Sequence, residues 1–170
     1  MQLNQFKLHR PLFFRLKQGV WLIISFLFFT TFFPWPSEIK VIILRVFGAQ
    51  IGRGVIIRPN VYIKLPWNLS IESDVWIGYG VHLDNDELIT IGGGSCLSQY
   101  TRIFTGSHDF RSTGFDFVGE QVKIGSRCWI AACCVVLPGV VIESENFYKA
   151  GTIIKKGELN ENISHHADEE

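Results

Sequence analysis

From Ile51 onward an apolar residue returns at every sixth position. The series reads Ile51, Ile57, Ile63, then Ile71, Ile77, Leu83, then Ile91, Leu97, Ile103, then Ile124, Ile130, Val136, then Ile142, Tyr148, Ile154. Four places after it comes a small or β-branched residue, as at Val55, Val61, Val75, Val81, Ser95, Thr101, Cys128, Val140 and Thr152. Neither the helical period nor strand alternation generates a period of six. A parallel β-helix does: short strands joined by tight corners stack their apolar side chains on the turns above and below. Gly52, Gly78, Gly92 and Gly125 follow the apolar position and ease those corners. The chain is therefore predicted to be an all-β solenoid over residues 51–157. Its five coils begin at Ile51, Ile71, Ile91, Ile124 and Ile142.

The repeat is interrupted at one place in each of the first three coils. Extra residues stand around Leu65-Pro66-Trp67-Asn68, around Asn85-Asp86-Glu87, and from about Asp109 to Gln121. All three fall in the third hexapeptide, so they stack along one edge of the prism about 4.8 Å apart. Asn85 and His108 then become neighbours across adjacent coils. His108 is expected where the wall ends and a loop extruded from the third coil begins. Rigid walls beside covering loops are where substrates are met. An imidazole there can take a proton from a hydroxyl near neutral pH, or it can simply satisfy the loop.

Composition narrows the field. Sixteen basic and sixteen acidic side chains cancel, which gives no support for a nucleic-acid partner. With 47% apolar residues the chain has the means to bury a core. Cys96, Cys128, Cys133 and Cys134 form no CxxC pairs and no plausible disulfide framework. They are read as small, buried, reduced thiols of a cytosolic protein, with a catalytic thiol as the lesser alternative. His165 and His166 lack a nearby third ligand, so no metal site is expected.

Residues 1–50 differ from the rest. An uncharged run, Val20 to Phe33, follows Lys7, Arg10, Arg15 and Lys17 and ends at Pro34 and Pro36. It is shorter than the roughly 20 residues of a spanning helix and carries no small-residue cleavage site. Two main readings stand, a helix packed on the solenoid or a partner subunit, and an aromatic-rich segment lying in a membrane interface. Residues 158–170 read as a polar tail.

Three stretches carry a family resemblance: "TGSHDF" (105–110), "KLPWNLSIESDVWIGYGVHLDN" (64–85) and "VKIGSRCWIAACCVVLPGVVI" (122–142). They resemble the hexapeptide-repeat acyltransferases, most nearly the sugar O-acetyltransferases of colanic acid and exopolysaccharide biosynthesis. The resemblance spans roughly residues 44–156. It implies a left-handed β-helix, although the usual crossover rule favours the other hand. It implies acetyl-CoA as co-substrate, a sugar or glycan precursor as acceptor, and His108 as general base. Asn85, Asp84 and Asp109 match acceptor-side positions. Trp129, Ala132, Ala150, Lys155 and Lys156 match the positions that meet acetyl-CoA, with the Ala132 amide facing the thioester oxygen. The resemblance further implies a homotrimer whose sites lie between subunits, at work in the cytoplasm or at the inner face of the membrane. Trp67, Trp76 and Trp129 are expected to supply the apolar interface of that trimer. One departure is the acidic stretch after Gly157, where the family continues with basic residues. Two rivals remain, a non-catalytic scaffold and a zinc-dependent trimer. The zinc reading needs a His-x4-His after His108, and Thr113 stands there instead.

Overall fold

A computed structural model describes residues 10–157. Two helices, α1 (Leu12–Phe28) and α2 (Ser37–Val46), precede a parallel β-solenoid of about five turns. Each turn has three faces. The first face stacks Gln50–Ile51, Leu69–Ile71, Ile89–Ile91, Val122–Ile124 and Val141–Ile142. The second stacks Ile56–Ile57, Trp76–Ile77, Cys96–Leu97, Trp129–Ile130 and Phe147–Tyr148. The third stacks Tyr62–Ile63, His82–Asp84, Arg102–Phe104, Val135–Val136 and Ile153–Ile154. Register follows the hexads without a slip: Ile51 pairs with Ile71, Ile57 with Ile77, and Ile63 with Leu83.

The reason is burial. Every residue of the six-residue series, Tyr148 included, lies in one core. Two polar members of the small-residue series, Ser95 and Thr101, are satisfied inside it. Ser95 Oγ donates to Gly125 O at 2.8 Å, and Thr101 Oγ1 donates to Ala131 O at 3.1 Å. Two of the three corners leave no spare room. A Cβ on Gly92 would stand 2.5 Å from the backbone of Gly125 and Ser126 in the next coil, and one on Gly78 would stand 2.8 Å from Gln99 N. The same corners turn through left-handed residues, including Gly54, Asp74 and Arg127 at one and Asn60, Gly80 and Cys133 at the other.

The helices close the first coil. Trp21 is fully buried, packs between Phe29 and Phe47, and donates from Nε1 to Ile63 O at 2.8 Å. The amides of Asn60 and Val61 donate to Thr31 O and Phe29 O, so an edge that would otherwise be open is occupied. Lys40 of α2 is buried and donates from Nζ to Ile57 O and Arg58 O at 3.2 and 3.1 Å. Burial, and then the Arg58 charge, pushes its pKa down to about 8. The helix α1 stops at Phe28, so Phe32 and Phe33 of the apolar run lie exposed in the link to α2. The expected tail, residues 158–170, and with it His165 and His166, lies outside the described residues, as does Lys7.

Two expectations need correction. Trp67 is not part of an open patch: it is half-buried under α1, edge-on to Phe14 at 5.4 Å with Lys17 Nζ over its ring. The cysteines are all free, but Cys133 is exposed and Cys96 half-buried, because both stand where side chains point outward. Cys128 and Cys134 are buried as expected, and their thiols donate to Glu143 O and Lys149 O.

Candidate active site

The three interruptions leave the same corner, between the third and first faces. The first is a short 3-10 turn, Pro66–Asn68. The third is an antiparallel hairpin with strands Gly106–His108 and Phe117–Gly119. It starts three residues earlier than the sequence suggested, so His108 belongs to the hairpin itself. The hairpin stands on Thr105, which is fully buried. Thr105 N and Oγ1 both donate to Asp84 O at 3.1 Å, Thr105 Oγ1 accepts from Glu87 N, and Thr105 O accepts from Glu120 N. One residue thus ties the hairpin's two legs to the coil below.

His108 pairs with Phe117 across the hairpin. Its ring lies flat on Phe115, 4.3 Å away and 4° from parallel, and meets the Phe117 ring edge-on at 5.8 Å. Its Nδ1 is 2.9 Å from Phe115 O. A carbonyl can only accept, so Nδ1 carries the proton and Nε2 of the neutral ring carries the lone pair. Orientation, tautomer and ring plane are therefore set together, as a general base requires.

The other expected residues fall into three groups. Asp84 stands beside the hairpin on the third face, with Lys64 Nζ 2.7 Å from its Oδ1 in an ion-pair contact. Around it the rings of Tyr62 and His82 stack at 4.3 Å, and Phe104 lies 6.0 Å from His82. Burial holds the His82 pKa below its usual value, which favours the neutral ring. Asn85 has a different job from the one expected. It is fully buried, its Nδ2 donates to Leu65 O and Asn68 O, and its Oδ1 accepts from Leu65 N at 3.0 Å. Those bonds pin the first interruption to the second and leave no exposed atom for an acceptor. Asp109 is exposed, and its Oδ1 accepts from Arg111 N at 2.9 Å, which shapes the hairpin tip. The Phe115 carbonyl orients His108 through its Nδ1.

Trp129 is 53% exposed on the second face, packs 4.8 Å from Phe147 and donates from Nε1 to Ser98 Oγ at 2.9 Å. Ala132 and Ala150 occupy the same corner in successive coils, joined by Gly151 N donating to Ala132 O. Lys155 is exposed. Lys156 reaches back to form an ion pair with Glu120 at the hairpin's foot. Sequence reading missed Arg10, Lys64, Asp86, Thr105 and Glu120. Asp86 receives both Arg10 and Lys64, each at 2.6 Å. Coil register alone would have brought Lys64 opposite Asp84. Nothing in the sequence brings Arg10 to Asp86, 76 positions away.

Solved structures share this architecture. A maltose O-acetyltransferase from Clostridium difficile superposes with a TM-score of 0.74 at 22% identity, over 86% of this chain and 79% of its own. A Vibrio cholerae hexapeptide-repeat acetyltransferase solved with acetyl-CoA gives 0.70 at 18% identity, over 83% and 75%. The fold is that of the hexapeptide-repeat acetyltransferases. In sequence, the chain is 40% identical over 116 residues to an Escherichia coli protein named a colanic acid biosynthesis acetyltransferase. That match takes in 66% of this chain and 64% of the relative, just under two thirds of its length. Nodulation protein L of Rhizobium leguminosarum is 31% identical over 103 residues, 58% of this chain and 53% of its own. No family model matches the chain. Among the described residues, no group of His, Cys, Asp and Glu is placed to hold a metal ion.

Proposed function

We propose that this protein transfers an acetyl group from acetyl-CoA to a hydroxyl of a sugar or glycan precursor. The observation that carries the proposal is the His108 ring, locked by Phe115 with its basic nitrogen set by the tautomer. The hexapeptide-repeat fold and the relatives named as acetyltransferases support it. In this reading Nε2 takes the proton as the acceptor oxygen bonds to the acetyl carbonyl carbon. The thiolate departs and receives the proton back. The Ala132 amide faces the carbonyl oxygen, where charge develops. Asp84, with the stacked Tyr62 and His82 and nearby Phe104, offers a sugar both a hydrogen-bond acceptor and an apolar face. Exposed Lys155 and the Ala150 corner meet the far end of acetyl-CoA.

The working unit in this proposal is a homotrimer inside the cell. Ile56, Trp76, Cys96, Trp129 and Phe147 align in one outward ladder on the second face. Such an apolar stripe is covered without open-ended growth in a closed ring. Three such chains would put a neighbour's wall opposite each hairpin.

The test is acetyl-CoA turnover, read as thiol release, over a panel of free sugars, nucleotide sugars and lipid-linked sugars. An acceptor should raise the rate above hydrolysis. His108→Ala should lower kcat by about 10² or more while acetyl-CoA affinity and melting temperature change little. Near-normal kcat in folded His108→Ala protein removes His108 from the mechanism.

A further inference from the structure

The helix α1 is apolar on both sides. Its inner side packs on the first coil through Trp21. Its outer side carries Leu12, Phe13, Leu16, Val20, Ile23, Phe26 and Leu27, with Phe13 79% and Phe26 72% exposed. Phe32 and Phe33 of the link, and Ile42 and Val46 of α2, extend the same exposed apolar surface. Between the helices lies a groove lined by Phe13, Leu16, Val20, Val46 and Phe47, with Lys17 at its edge. A soluble monomer does not ordinarily leave so much contiguous apolar surface in water. A helix apolar all round is normally buried or in lipid.

Charge decides which occupant fits. Residues 1–46, which span both helices, carry six basic side chains and one acidic one, Glu38; Arg10 is paired with Asp86 and Lys17 lies over Trp67. Arg15 is exposed on α1, flanking the apolar side, where a long stem reaches a headgroup while the neighbouring side chains go deeper. A second copy of this face would bring like charge against like. An anionic bilayer brings the opposite charge. Length agrees with lying flat. The 17 residues of α1 reach about 26 Å, and no described helix is long and apolar enough to cross a membrane.

We infer that the outer side of α1, with the 32–33 link and the α1–α2 groove, docks this protein on an anionic membrane surface with α1 in the interfacial plane. The inference goes beyond the acyl-transfer reading and does not depend on it. The docked end is that of the first coil, and His108 in the third coil stands about 10 Å further along the solenoid. Arg10, just before α1, contacts Asp86 at the site's corner, so the membrane end and the hairpin corner share one network.

The experiment is co-sedimentation of the full chain with phosphatidylcholine vesicles and with vesicles containing phosphatidylglycerol. Parallel sedimentation velocity follows the oligomer without lipid. The native chain should bind the anionic vesicles several-fold better, and less so in high salt. Leu16→Ser/Ile23→Ser/Phe26→Ser should cut vesicle binding by about tenfold or more with the oligomer unchanged. Arg15→Glu should narrow the preference for anionic lipid. Circular dichroism and melting confirm that the variants fold. Unchanged vesicle binding in the folded triple variant overturns the inference, as does equal binding to both lipids. A triple variant that loses mass in solution instead makes the face a contact between copies, which also overturns it. Acetyl-CoA turnover on a soluble acceptor is measured alongside, so failure of docking and failure of the acyl-transfer reading remain distinguishable.

Discussion

Lys40 carries a charge into the seam between α2 and the first coil, and its effect on stability should depend on pH in a defined direction. Its folded pKa is about 8 against an ordinary 10.5, with burial as the larger cause and Arg58 as the second. Below pH 8 both folded and unfolded chains hold the proton, and the fold carries the full cost of the buried ammonium. Between about 8 and 10.5 the unfolded chain binds more protons than the folded one, so stability rises with pH across that window. The shift of about 2.5 units corresponds to about 3 kcal/mol, of which about 2 should be recovered between pH 7 and 10. Lys40→Met removes the titration but takes a donor from Arg58 O and leaves Ile57 O with only the long bond from Ser37 Oγ, so its net effect at a single pH mixes two opposing contributions. The difference between native and variant across pH isolates the charge. Urea unfolding at pH 7, 8, 9 and 10, for both proteins, gives that difference directly. The native chain should gain about 2 kcal/mol on the variant over that range. A flat difference would show that Lys40 is solvated in the folded state and that the seam is open to water.

Asn85→Leu keeps the volume but strips three bonds from the backbone of Leu65 and Asn68. It should cost about 3 kcal/mol, seen as a melting temperature lower by roughly 10 °C. An unchanged melting temperature would return Asn85 to the candidate ligands. Thr105→Val loses the bonds of Oγ1 to Asp84 O and Glu87 N at the hairpin's foot. It should cost about 1–2 kcal/mol and lower kcat several-fold with acetyl-CoA KM little changed. Full kcat in that variant would mean the hairpin holds His108 without its foot.

The solenoid was legible because a core of period six has no competing explanation, and each apolar residue from Ile51 to Ile154 in the series entered it. The corner of the interruptions was legible for the same reason, since counting hexads assigns each insertion to a face. What lies within the interruptions was not. Asn85 and Asp84 look alike in sequence, but one turns inward to three backbone groups and the other outward to Lys64. That choice is made by the chain of the coil below, which local sequence does not reveal. The hairpin strands Gly106–His108 and Phe117–Gly119 are too short for alternation to show, and their legs are closed by Glu120 N donating to Thr105 O. Trp67 looked like an interface residue because its cover, α1, begins more than fifty positions earlier.

The glycine corners have a consequence for how such proteins diversify. At Gly52, Gly78, Gly92 and Gly125 the backbone of the following coil lies where a methyl group would go. An insertion or a side chain at those two corners would pry the coils apart and disturb every layer beyond. The third corner has no such clamp in the first three coils, and it is where the chain leaves and returns. Length changes there would leave the stacked layers of the core in register. The prism therefore separates heritable change into an edge that tolerates it and two that refuse it. Under the proposed function, acceptor preference could shift through changes in these three segments that keep His108 and the Phe115 carbonyl in place, with the scaffold left untouched.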